Sequence, residues 1–106
     1  MIFVESSLFS RLLGDYLTDD QYRELQGYLI AVPDAGDVIK GSGGVRKVRW
    51  RIRGKGKSGG LRVIYYWAVT AGQVFMLTLY GKSEKEDLSP ADLRKIVKLI
   101  DEMEHG

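Results

Sequence analysis

The nine residues from Leu61 to Val69, LRVIYYWAV, are apolar on both sides of the chain except at Arg62. A strand of that kind belongs in the middle of a sheet, where both faces are covered. Its neighbours are legible on either side. From Val45 the period is two: Val48, Trp50 and Ile52 point one way, and Lys47, Arg49, Arg51 and Arg53 point the other. Gly54 to Gly60 is glycine-rich and reads as a turn. After Thr70-Ala71-Gly72-Gln73, a hairpin turn, Val74 to Tyr80 forms a third strand. The expectation is an antiparallel three-stranded meander.

Helical patterns flank it. Ile2 to Val4 is a short β-forming run. Ser6 or Ser7 then caps a helix whose apolar residues fall at Leu8, Phe9, Leu12, Leu13 and Tyr16. Thr18 and Gln21 have capping-box spacing, Tyr22, Leu25, Leu29 and Val32 share a face behind them, and Pro33 ends the run. Ser89, Pro90 and Asp92 open a last helix, with Leu93, Ile96, Val97, Ile100 and Met103 as its apolar face. The order is strand, two helices, meander, closing helix: an α+β fold in a single domain over residues 1–106.

Charge is distributed unevenly. Between Asp37 and Glu84 the chain carries Lys40, Arg46, Lys47, Arg49, Arg51, Arg53, Lys55, Lys57, Arg62 and Lys82, and no acid. The net charge of +2 conceals a basic block inside an acidic frame. A one-signed surface concentrates the opposite ion, and the obvious polyanion is nucleic acid. Lys47, Arg49, Arg51 and Arg53 are the expected RNA-binding face, because a merely solvated strand face usually mixes signs. The chain has no cysteine and one histidine, His105, close to its end, so neither a disulfide nor a His/Cys metal site is expected. Nothing approaches the ~20 apolar residues of a membrane span, and Met1 to Glu5 lacks the form of a signal peptide. The expected location is the cytoplasm, away from membranes.

Arg62 is the most specific polar signal, being out of place in an apolar strand unless it meets a charged partner or substrate. In an antiparallel sheet the start of one strand lies near the end of its neighbour. Arg62 therefore converges with Tyr80 and Lys82, with Lys55 and Lys57 in the preceding turn. The Gly-Lys-Ser triplets at 56–58 and 81–83 are not nucleotide phosphate loops, since the required upstream glycine is Arg51 in one case and Met76 in the other.

Three stretches carry a family resemblance: Gly43 to Lys47, Gly54 to Tyr66, and Leu77 to Leu88. Through them the chain resembles the RelE/ParE superfamily of toxin–antitoxin toxins, and more closely its HigB-type members. The resemblance implies a small toxin that cuts mRNA in the ribosomal A site, needs no cofactor, and is silenced by a co-produced antitoxin, expected to be a helix-turn-helix protein. Operator DNA would be met only through that antitoxin. By position, the family's strand arginine corresponds to Arg62, its preceding basic residues to Lys55 and Lys57, and its lysine after the last strand to Lys82. The chain departs from RelE-like members at Ser83, where they place a second arginine, and at Ser89, where they place a tyrosine.

The chemistry follows from RNA itself. The ribose 2′-OH attacks the adjacent phosphate, and the charge gathering on the phosphorane oxygens calls for fixed cations; the planar fork of Arg62 suits them. The 2′-OH needs a base. A lysine serves only where crowding cations disfavour its ammonium form, which leaves Tyr80 or one of Lys55, Lys57 and Lys82. Two other functions compete: a non-catalytic RNA- or ribosome-binding module, which would lose little on removal of Arg62, and a ParE-like gyrase poison, whose relatives lack a catalytic basic cluster.

Overall fold

The computed structural model describes residues 1–52, 60–85 and 87–105. Its elements are β1 (Ile2–Glu5), α1 (Ser7–Tyr16), α2 (Asp19–Ala31), β2 (Asp37–Val38), β3 (Arg46–Trp50), β4 (Leu61–Ala68), β5 (Gln73–Gly81) and α3 (Pro90–His105). The strands form one sheet in the order β1-β5-β4-β3-β2. The meander β3-β4-β5 is antiparallel, and β1 joins β5 in parallel. The expected α+β architecture is present, with one strand more than the sequence pattern predicts. That strand, β2, is two residues long and pairs Asp37 with Lys47 and Val38 with Arg46. No periodicity can show in two residues.

The helix starts follow their capping chemistry. Of the two serines offered at α1, Ser6 is the cap, its hydroxyl accepting from the Phe9 amide. Thr18 and Gln21 close a full capping box on α2. At α3 the Ser89 hydroxyl accepts from the Asp92 amide, and the Asp92 carboxylate accepts from the Ser89 amide. Two apolar positions are not core. Val32 is the C-cap of α2 and is exposed, and Val97 is 39% exposed while Leu99 packs instead. Both lie at the rim of a helical stripe that the sheet covers only along its centre.

The two faces of the sheet are covered by different helices. Phe9 from α1 and Tyr22, Leu25 and Leu29 from α2 pack with Val48, Val63, Tyr65, Val74, Met76 and Leu79. On the opposite face Ile96 and Ile100 of α3 pack with Val45, Ile64, Phe75, Leu77 and Tyr80. β4 is buried from both sides, as its composition demands. Among the described residues no helix is long and apolar enough to cross a membrane.

A bulge in β5 decides what lies on which face. The register steps from Ile64↔Thr78 to Tyr65↔Met76, so Leu77 is the extra residue. Phe75 and Tyr80, of opposite parity, thereby reach the same face. The Leu77 carbonyl stands at this bulge. The buried Ser6 hydroxyl donates to it at 2.8 Å, while accepting from the Phe9 amide at 2.9 Å. One side chain thus caps α1 and completes the bulge.

Candidate nucleic-acid interface

The register of the meander assembles the site. Arg49 of β3 stands opposite Arg62 of β4, and Arg62 opposite Tyr80 of β5. These three lie in one row across the sheet, on the face of α3. The register thus sets two arginines side by side on adjacent strands. Arg62 is 5% exposed, and both Asp87 and Tyr80 feel its charge.

Lys82 follows β5. Its backbone amide donates to the Gly60 carbonyl at 3.3 Å, which ties it to the start of β4 beside Arg62. Gly60 has φ of +54°, and a Cβ there would stand 2.6 Å from the Trp50 carbonyl oxygen. Only glycine fits. Glu84 steadies the same turn, accepting from the Gly81 amide at 3.0 Å and from the Tyr16 hydroxyl of α1. The Tyr16 hydrogen bond holds the Glu84 carboxyl below its usual range; the Tyr16 phenol itself is pushed up to about 12, chiefly by burial.

Two adjoining recesses of about 260 Å³ each result. One is lined by Lys47, Arg49, Arg62, Lys82 and Asp87, the other by Arg49, Trp50, Arg51, Arg62 and Lys82. The structure therefore brings Lys47, Arg49, Arg51, Arg62, Lys82 and Tyr80 into one neighbourhood. Arg53, Lys55 and Lys57 lie outside the described residues.

Sequence reasoning missed two features. The expected uncompensated row of cations is partly compensated: Lys47 donates to Asp87 at 2.5 Å, across 40 positions of sequence. The Lys47 ammonium, with a smaller contribution from Arg62, holds the Asp87 carboxyl below the usual carboxylate range. That pairing follows from the α3 lead-in crossing this face, which no local pattern announces. The cationic face is accordingly a half-covered one, with α3 over its other end.

Tyr80 is 3% exposed, and its hydroxyl has no hydrogen-bond partner among the described residues. Burial pushes its phenol up, and Asp87 adds to the shift while Arg62 opposes it. A phenol raised in this way resists forming the phenolate that a general base needs. A third recess, of about 290 Å³, opens beside the first and shares Lys47 and Asp87 with it; Tyr80, Asp37, Val38, Ile39, Leu88 and Leu93 complete its walls. Among the described residues no group of His, Cys, Asp or Glu has the arrangement of a metal site.

Comparison with known proteins agrees with this architecture. A family model described as "RelE toxin of RelE / RelB toxin-antitoxin system" matches residues 34–105. Among solved structures, the E. coli toxin RelE, as an arginine double mutant in the free state, is similar with a TM-score of 0.56 and 18% identity. The match covers 89% of this chain and 94% of that one.

Proposed function

The chain belongs to the RelE toxin family, toxins of RelE/RelB toxin–antitoxin systems, and on that premise we propose that it is a ribosome-dependent mRNA endonuclease, a single catalytic domain acting in the cytoplasm. The observation that carries the proposal is the opposed Arg49–Arg62 pair, with Lys82 completing a cationic recess. A recess lined by four cations against one carboxylate concentrates an anion. A phosphate of the RNA backbone is that anion. The RNA-binding row is Lys47, Arg49, Arg51 and Arg53; the catalytic set is Arg62, Lys82, Lys55 and Lys57, with Tyr80 beside them.

In the reaction the 2′-oxygen bonds to phosphorus as the bond from phosphorus to the 5′-oxygen breaks. The proton of the 2′-OH passes to a base, and the departing 5′-oxygen takes one up. Arg62, rigid in β4, stabilises the charge on the equatorial oxygens as it develops. The raised Tyr80 phenol passes the role of base to Lys55, Lys57 or Lys82. A cognate antitoxin, a helix-turn-helix protein, would silence the toxin by covering this face, and would carry it to operator DNA.

Producing the chain alone should arrest growth of bacteria and give translated messages new 5′ ends inside codons. Arrest with intact mRNA and broken DNA would overturn the proposal in favour of a gyrase poison.

A further inference from the structure

The third recess has a different chemistry from the two cationic ones beside it. Its floor is apolar, with Val38 and Leu88, and its polar groups are Tyr80, Asp37, Asp87 and Lys47. Lys47 and Asp87, paired with each other, form the wall it shares with the cationic recess. A group bound there is therefore next to a phosphate bound at Arg49 and Arg62. Tyr80 supplies the second observation. Its hydroxyl is buried and has no partner among the described residues, whereas buried polar groups ordinarily find one, and a ligand with a polar edge would satisfy it. The hydroxyl stays protonated, so it comes to the ligand as a donor.

We propose that this recess binds an RNA base adjacent to the scissile phosphate and selects bases that carry an exocyclic amino group over uracil. The inference rests on the endonuclease reading and adds a specificity site to it. The apolar walls match the faces of a base. The carboxylates of Asp37 and Asp87 accept from an amino group and repel the carbonyl that uracil presents at the same place. Tyr80 donates to a ring nitrogen or carbonyl oxygen.

The test uses the full chain and 2′-deoxy trinucleotides, which lack the attacking hydroxyl: one all cytosine, one all uracil. These differ at the exocyclic group and at N3, which accepts in cytosine and carries a hydrogen in uracil. Binding, followed through the NMR shifts of the Tyr80 ring, should favour cytosine by roughly tenfold, the scale of one hydrogen bond to a charged group. Asp37→Asn replaces an acceptor by a group that can also donate, so it should bring the two affinities together. Asp37 is exposed in the two-residue β2 and its replacement leaves the core intact. Tyr80→Phe should weaken both ligands. Equal binding of the two by the unaltered protein, or a preference that survives Asp37→Asn, overturns the base recess. Cleavage of programmed ribosomes is measured beside it. Selective binding without cleavage keeps the recess and removes the endonuclease; cleavage without selective binding does the reverse.

Discussion

Two buried tyrosines, one on each face of the sheet, show how differently the faces are used. Tyr65 points towards α1 and α2. Its hydroxyl donates to the Pro33 carbonyl at 2.8 Å and accepts from the Gly36 amide at 2.9 Å. Tyr80, on the α3 face, is also buried, and its hydroxyl has no hydrogen-bond partner among the described residues. The same contrast runs through the neighbours. One face is closed by two helices over a continuous apolar core, to which β1, β3, β4 and β5 contribute aliphatic or aromatic groups. The other face is apolar for half its length and cationic for the rest, with Arg49 and Arg62 opposed. The closed face carries the larger apolar core, and the half-open face carries the cationic recesses. Functional surfaces are where local rules of folding are expected to be broken.

Substitutions on the two faces should separate these roles. The largest effect is expected from Phe9→Ala, which empties a fully buried site on the closed face and should cost about 3–5 kcal/mol. Denaturant unfolding measures this; cleavage per folded molecule should hold, and a selective loss of cleavage would break the division between faces. Next comes Arg62→Ala. If Arg62 acts on charge that exists only in the transition state, cleavage should fall by roughly 10²–10³ with ribosome affinity nearly unchanged. Arg62→Lys should recover part of the rate, since it keeps the charge and loses the fork. Full activity of a folded Arg62→Ala protein would dismiss it as the catalytic arginine.

Ser6→Ala sharpens the comparison from between the faces. It removes an N-cap worth about 1 kcal/mol and the hydrogen bond to the Leu77 carbonyl, worth about another 1 kcal/mol. Because the bulge sets the face of Tyr80, the Tyr80 ring resonances should move as well; a stability loss with those resonances fixed would mean that Ser6 only caps α1. Arg49→Ala should be milder, lowering the slope of log affinity against log salt by about 0.7–0.9 while single-turnover cleavage on saturated ribosomes persists. An unchanged slope would remove Arg49 from the phosphate contacts.

The smallest effect concerns pH. Tyr16 has its phenol raised from 10.0 to about 12, so the folded protein holds that proton where the unfolded chain has lost it. Stability from this source is complete below pH 10 and is lost between about 10 and 12. Tyr16→Phe should therefore make the alkaline decline of stability shallower, without abolishing it, since Tyr65 and Tyr80 are also raised. An identical alkaline limb would show that the Tyr16–Glu84 contact contributes nothing.

What could be read in advance was local or followed from strand geometry. Thr18 with Gln21, and Ser89 with Asp92, announce helix starts by spacing alone. Arg62 meets Tyr80 and Lys82 because antiparallel neighbours must place start beside end. What could not be read depended on distant segments meeting. β2 is too short for a period, the bulge at Leu77 reverses the parity that alternation assumes, and Asp87 reaches Lys47 only after α3 has chosen its face.

The parallel pairing of β1 with β5 has a consequence for the order in which the chain is made. Ser6 and Leu77, which complete each other, are 71 residues apart. At roughly 5–20 residues per second a ribosome needs several seconds to pass from one to the other. Throughout that interval Ile2 to Glu5 has no strand to lie against, and closing so long a loop is slow in itself. Arg62 emerges before β5 exists to hold Tyr80 and Lys82 beside it. A nascent chain therefore has the cations of the site without its geometry, so the chemistry proposed for the site has to wait until β5 is complete.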